Sequence, residues 1–397
     1  VLVADPSGLA AVIAAIEGAA VVAFDLEFDT RDRLVPRLCL VQVACVQRSS
    51  DAAASLFVAL VDPLAVEVAP LIAAIAAHPR VIAHAPRQDL GLLAARFPGV
   101  AFPGLVDTQL MAAFAGMGEQ LGLAALVREL CGAVLDKDQQ WTQWARRPLS
   151  DAQLRYAADD VRYLPAIEAA LAARLGPRVA WARDETARIG RDAVESVVSD
   201  PADAWRDVGG VRGLGERELG ALRALAAWRL EVARSRDLPL GAVLPDKLLV
   251  ELARARPVDA DAVRAVRGLP EPARGAAEEL AERVAGAPPV ARTFDRPPSP
   301  RAQRWAEVLL AIANVVADEA GIAARLLATR ADAEAFARGH DEGGDAVTRA
   351  LPAATTWRRE LLLPAWDGFL AGRLAVAVDV ESPHGVRLTG LPAPATG

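Results

Sequence analysis

Apolar residues recur along this chain with two different periods. Up to about residue 107 they fall into short blocks: 21–28 (Val-Val-Ala-Phe-Asp-Leu-Glu-Phe), 37–46 (Arg-Leu-Cys-Leu-Val-Gln-Val-Ala-Cys-Val), 55–61 (Ser-Leu-Phe-Val-Ala-Leu-Val), 80–84 and 104–107. Blocks of this kind, bounded by turn residues, read as strands. The second is almost wholly apolar, which suits a central strand. Helical spacing covers 9–16 behind Asp5-Pro6-Ser7, then 66–77 closed by His78-Pro79, then 89–97, then 108–114 with Asp107 as its N-cap. Short connections between the first three strands predict antiparallel pairing. The order three strands, helix, strand, helix, strand, then helices predicts an α/β domain with a mixed sheet over residues 1–198.

Two breaks divide the remainder. Ser199-Asp200-Pro201 through Gly209-Gly210 is a polar linker, and residues 213–288 form an all-helical domain with its own apolar period. A Pro-rich, extended linker follows from Pro288-Pro289 to Pro300. A second small all-α domain is expected over 300–380; its 309–338 stretch faintly repeats 225–254. The last residues, from Leu391, are expected to fray.

Composition narrows the class. With 397 residues, 53% hydrophobic and only 5% aromatic, the chain suits two or three helix-heavy domains. A net charge of −7 argues against binding nucleic acid by bulk attraction, so any basic surface must be local. Only Lys137 and Lys247 among 44 basic residues are lysines, which a compositional bias explains. Cys39, Cys45 and Cys131 lack metal-ligand spacing, and Cys39 and Cys45 read as core thiols, in keeping with a reducing cytoplasm. His78, His340 and His384 have no partner spacing for a metal site. Asp5 and Glu17 interrupt the first apolar stretch and no basic run precedes it, so neither a signal peptide nor a membrane span is expected.

The chemistry starts in the first strand. Side chains on a strand alternate, so Asp25 and Glu27 share one face and Leu26 takes the other. A lone D-x-E is most simply two solvated acids. Buried side by side, two like charges call for a cation between them. Two further acidic motifs fit. Asp89, in His84-Ala-Pro-Arg-Gln88-Asp89, stands at a strand–helix junction. Ser150 starts a helix on which Tyr156 and Asp160 lie i, i+4 on one face, while Asp159 is rotated toward solvent.

In combination, D-x-E, then the junction Asp, then Y-x-x-x-D resembles the tyrosine-bearing branch of the DEDD exonuclease superfamily. The flanks are similar to ribonuclease D: Leu135-Asp136-Lys137, Trp144-Ala-Arg146-Arg147-Pro148-Leu149, and Asp107-Thr108-Gln109-Leu110-Met111. Leu222 to Arg229, with Pro239 and Leu244-Pro-Asp-Lys-Leu-Leu, resembles the HRDC domain that follows the nuclease in that family. Gly321-Ile322 and Leu326-Leu327-Ala328 resemble its second, degenerate HRDC-like domain. Two departures stand out: Leu26, where the family usually has Thr, and Leu34, where an aromatic is common.

The resemblance implies a ribonuclease H-like exonuclease domain and two helical domains that guide RNA. It implies two divalent cations, Mg²⁺ or Mn²⁺, held by Asp25, Glu27, Asp89 and Asp160, with Asp25 bridging and Tyr156 orienting the attacking water. The implied reaction is 3′–5′ hydrolysis of RNA 3′ ends, in tRNA precursors and other small structured RNAs, releasing 5′-nucleoside monophosphates. His84 and Gln88 are candidates for the terminal nucleotide, and Arg146 and Arg147 for phosphates. Trp141 and Trp144 suit core packing better than base stacking. A cytoplasmic monomer with no membrane partner is expected. A DNA 3′–5′ exonuclease using the same site is the alternative; a non-catalytic nucleic-acid-binding module fits less well, because all four acids and Tyr156 are intact.

Overall fold

The computed structural model describes residues 1–47, 55–136, 142–197, 200–211, 213–291, 298–344, 356–381 and 385–391. Six strands form one mixed sheet: β1 (Leu2–Val3), β2 (Ala19–Asp29), β3 (Arg37–Gln47), β4 (Leu56–Val61), β5 (Val81–Ala83) and β6 (Leu105–Asp107), in the order β1-β4-β3-β2-β5-β6. β2, β3 and β4 pair antiparallel, as their short connections predict, while β5 and β6 continue the sheet parallel to β2. The expected strands are all present. β1 is an addition: two residues too short to leave a periodic signal, laid parallel on β4.

Helices cover both faces. Val22, Phe24 and Leu26 enter one core with α1 (Pro6–Gly18), α2 (Ala69–Ala77) and α3 (Arg87–Arg96). Ala23 and Ala44 face α4 (Thr108–Phe114) and α7 (Leu164–Leu175), while Leu40 and Leu60 face α6 (Asp151–Arg162). The helix starts follow local chemistry. Asp107 caps α4 by accepting from the Gln109 N–H, and Ser150 with Gln153 forms a capping box on α6. After α5 (Leu123–Leu126) and one π turn, the long helix α8 (Val179–Val197) packs on α3 and β6.

Helices α9 (Glu216–Arg236), α10 (Leu240–Val243), α11 (Asp246–Ala255), α12 (Ala260–Arg264), α13 (Glu271–Gly275) and α14 (Ala277–Ala285) build a separate core around Leu222, Leu225, Trp228, Leu249 and Leu280. This unit leans on the segment after β2. Asp237, in left-handed conformation at the end of α9, accepts from the Arg33 guanidinium at 2.8 Å and from the Val35 N–H at 3.3 Å.

The last unit differs from expectation in two respects. Its helices are α15 (Pro300–Ala320), α16 (Ala324–Leu327), α17 (Arg330–Asp341) and α18 (Thr356–Leu370), but a hairpin of β7 (Leu374–Val378) and β8 (Val386–Gly390) follows, so the segment is not all-α. Val376 and Leu388 of the hairpin pack on the helical core. This core is also continuous with that of the sheet domain. Trp357 stacks on Trp181 at 5.4 Å and meets Phe114 edge-on at 5.0 Å, and the Ala323 N–H donates to the Ala113 carbonyl. No described helix is long and apolar enough to cross a membrane.

Candidate active site

Asp25 and Glu27 rise from β2 toward α6, which brings Asp160 down to meet them. Carboxylate oxygens of Asp25, Glu27 and Asp160 lie within 4.8 Å of one another. Leu26 is buried in the opposite core, so its departure from the family pattern leaves the cluster untouched. Asp89, buried in the first turn of α3, does not join this mutual approach, yet its charge acts on both Asp25 and Glu27. Among the described residues no Arg or Lys pairs with any of the four acids.

The electrostatics follow from that isolation. Burial, then Asp89, Asp160 and Glu27, push the Asp25 carboxyl well above the usual range, against a single backbone N–H from Leu26. Burial, then Asp160 and Asp89, push Glu27 up to about 9. Burial and Asp159 push Asp160 up to about 7. Burial also carries Asp89 to about 7, against its own backbone hydrogen bond and with help from Asp107. Four acids gathered in one buried site give up their protons reluctantly near neutral pH, and a multivalent cation would take the place of those protons. Hard cations take oxygen ligands, and this donor set is all carboxylate.

Tyr156 lies one turn before Asp160, half-buried, with its ring 6.1 Å from that of Trp144. Burial, then Asp160, Glu27 and Asp25, raise its phenol above the ordinary value, which keeps it protonated. Asp159, whose charge acts on Asp160, pairs with Arg162 at 3.0 Å.

The turn before Asp89 is held from the neighbouring strand. Ala85 takes a left-handed backbone (φ 51°), and its N–H donates to Asp107 Oδ1 at 2.9 Å. The same oxygen accepts from the Gln109 N–H at 2.8 Å. Burial carries Asp107 up to about 6, against these backbone donors. His84, half-buried, sets Nδ1 3.0 Å from Thr108 Oγ1. Burial lowers it to about 4 despite a backbone contact at Leu121, so the imidazole is neutral. Gln88 is exposed and lines a cleft of about 1790 Å³ between α3, α8 and α9; Phe28, Leu34 and Arg87 share that wall. Leu34 also packs on the core of the α9–α14 unit.

One expected substrate contact gives way. Arg147 donates from Nε and Nη2 to both oxygens of Asp62 at 2.6 Å, and also to the carbonyls of Cys39, Trp144 and Arg146. Burial alone would raise Asp62, but the Arg147 fork and the Leu64 N–H hold its carboxyl below the usual range. Arg147 is thus a latch between the loop and β3–β4, with no face left for phosphate. Arg146 beside it is exposed. Trp144 is core, as expected, while Trp141 and Lys137 lie outside the described residues. Gln42 escaped notice: it is fully buried, stands directly across from Asp25 in the β2–β3 register, and neither amide atom has a partner. A single polar residue inside an otherwise apolar central strand was the available signal.

Residues 1–176 match the model of a 3′–5′ exonuclease family, and residues 218–276 match the HRDC domain. Over 391 residues the chain is 34% identical to "Ribonuclease D" of Acidiphilium cryptum, covering 95% of this chain and 94% of that one. The chain belongs to the ribonuclease D family. Another relative, "Ribonuclease D" of Pseudomonas paraeruginosa, is 33% identical over 348 residues, with 85% and 89% covered. The crystal structure of Escherichia coli RNase D, described as an exoribonuclease involved in structured RNA processing, superposes with a TM-score of 0.77 at 28% identity, over 93% of this chain and 98% of that one. As a member of this family the chain is a 3′–5′ exoribonuclease that uses divalent metal, and Asp25, Glu27 and Asp160 form an acidic cluster that could hold such an ion.

Proposed function

We propose that this enzyme removes nucleotides from the 3′ ends of tRNA precursors and other small structured RNAs, releasing 5′-nucleoside monophosphates by two-metal hydrolysis. The observation that carries the reading is the Asp25–Glu27–Asp160 approach within 4.8 Å, joined electrostatically by Asp89, with no basic partner among the described residues. That donor set fits a pair of hard cations, Mg²⁺ or Mn²⁺, which when bound supply an acidified water and neutralise charge on the attacked phosphodiester. Asp25, Glu27, Asp89 and Asp160 would hold these cations, and the Asp25 carboxyl feels the charge of the other three.

Tyr156 keeps its proton and holds the attacking water by hydrogen bond, acting through position rather than as a base. Neutral His84 and exposed Gln88 flank Asp89 and contact the terminal nucleotide; exposed Arg146 meets a phosphate. The exonuclease domain spans 1–198, with an HRDC domain at 213–288 and a degenerate second one from 300 to about 380 that guide the RNA. Buried thiols at Cys39 and Cys45 suit a cytoplasmic enzyme, which we take to be a monomer.

The test is mononucleotide release from a 3′-extended RNA with Mg²⁺ or Mn²⁺. Asp25→Asn and Asp160→Asn are expected to abolish release while the circular dichroism spectrum stays native. Undiminished release by both variants overturns the reading. The same assay on single-stranded DNA separates the ribonuclease from a DNA exonuclease built on the same site.

A further inference from the structure

Gln42 is the one polar side chain that β3 buries completely on the face beneath α6. The register pairs it with Asp25 on one side and Leu60 on the other; along β3 its same-face neighbours are Leu40 and Ala44. In an antiparallel pair, directly opposed side chains start about 4.5–5.5 Å apart at Cβ, within reach of an extended amide. Every other neighbour named here is aliphatic. A leucine would fill the same place in this setting at no polar cost. Instead the strand carries a carboxamide whose Nε2 and Oε1 both lack partners. Buried amides without partners are rare in folded proteins, and such an exception calls for a bound group or a functional role.

The neighbour that changes state is Asp25. Among the described residues no side chain donates a hydrogen bond to its carboxylate. A carboxylate that ligates a cation keeps its orientation through hydrogen bonds to its remaining lone pairs. Gln42 is the uncharged donor placed to supply one from across the strand. A lysine or arginine there would compete with the cation for Asp25, and a serine would not reach.

We propose that Gln42 is a positioning residue of the cation site, its Nε2 donating to the Asp25 carboxylate when the site is loaded. The amide holds the ligand and touches neither substrate nor attacking water. This rests on the reading of Asp25 as a metal ligand given above.

The test uses the full chain with Gln42→Leu and the closer isostere Gln42→Met, and Asp25→Asn as control. Three quantities are read: the melting temperature in EDTA, Mn²⁺ affinity by calorimetry on the metal-free protein without RNA, and kcat and KM on RNA at saturating Mn²⁺. Both Gln42 variants are expected to melt in EDTA at or above the unmodified protein, because the empty fold gives the amide no partner. Mn²⁺ affinity is expected to fall about 10-fold or more, the usual effect of losing a group that orients a ligand. At saturating Mn²⁺, kcat is expected to fall while KM for RNA holds. Unchanged Mn²⁺ affinity and kcat overturn the proposal. So does a lower melting temperature or loss of folding in both variants, since the amide would then support the empty fold. If Asp25→Asn itself keeps Mn²⁺-dependent cleavage, the reading of the site fails; if it abolishes cleavage while both Gln42 variants behave as unmodified, only the Gln42 proposal fails.

Discussion

Replacing Glu27 by glutamine removes one ionisable group from a cluster that the fold compresses. In the metal-free protein Glu27 is pushed up to about 9 by burial and by Asp160 and Asp89. An unfolded chain ionises it near its ordinary value of 4.5. The folded state therefore holds a proton that the unfolded state has lost, and stability from this group falls as pH rises between those two values. At 1.36 kcal/mol for each pH unit, the penalty at pH 7 is about 3 kcal/mol. Glutamine has no such penalty, but its own buried amide costs about 1 kcal/mol. A net gain of about 2 kcal/mol remains, which raises the melting temperature by several degrees, roughly 2–4 °C for each kcal/mol. The assay is thermal unfolding in EDTA from pH 5 to pH 8. Glu27→Gln is expected to match the unmodified protein near pH 5 and to melt progressively higher above it. Adding Mn²⁺ should reverse the order, because bound cation stabilises the unmodified protein by about 2.7 kcal/mol at a hundredfold excess over Kd. A variant that melts below the unmodified protein at pH 8 in EDTA refutes the electrostatic argument, as does an equal Mn²⁺ response in both.

Three other outcomes follow from the same geometry. Arg147→Ala leaves buried Asp62 without its fork, so unfolding in urea should show a loss of about 3 kcal/mol. Tyr156→Phe keeps the ring packed on Trp144 and removes only the hydroxyl; kcat on RNA should fall by about 10²-fold with KM and melting temperature little changed. Trp357→Ala empties a stack shared by Phe114 and Trp181, and should cost about 3–5 kcal/mol. Its unfolding should remain a single transition by both circular dichroism and tryptophan fluorescence, since one core serves both units.

The sequence was most legible where one period governs a segment. Alternation along β2 placed Asp25 and Glu27 on one face, and the i, i+4 spacing placed Tyr156 over Asp160, because neither depends on distant residues. Local caps were equally readable at Asp107 and Ser150. What escaped is tertiary. Helix α3 begins at Arg87, two residues before the expected start, because the Ala85 turn is held by Asp107 from another strand. Arg147 looks like a free phosphate contact until Asp62, 85 residues earlier, meets it. The hairpin after Gly372 is only five residues per strand and earns its place by covering α15 and α18.

The core that joins the last helices to the sheet domain makes the middle unit a detour. Residues 213–288 leave a continuous body and return to it, so the middle helices are a closed excursion instead of a bead on a string. Lengthening or shortening such an excursion changes loop-closure entropy only slowly, about 0.6 kcal/mol for each doubling. Trimming from the end has the opposite character, because it strips Trp357 and Ile312 from the wall behind α4 and α7. Modularity in this chain therefore belongs to its middle, and its two ends fold as one piece.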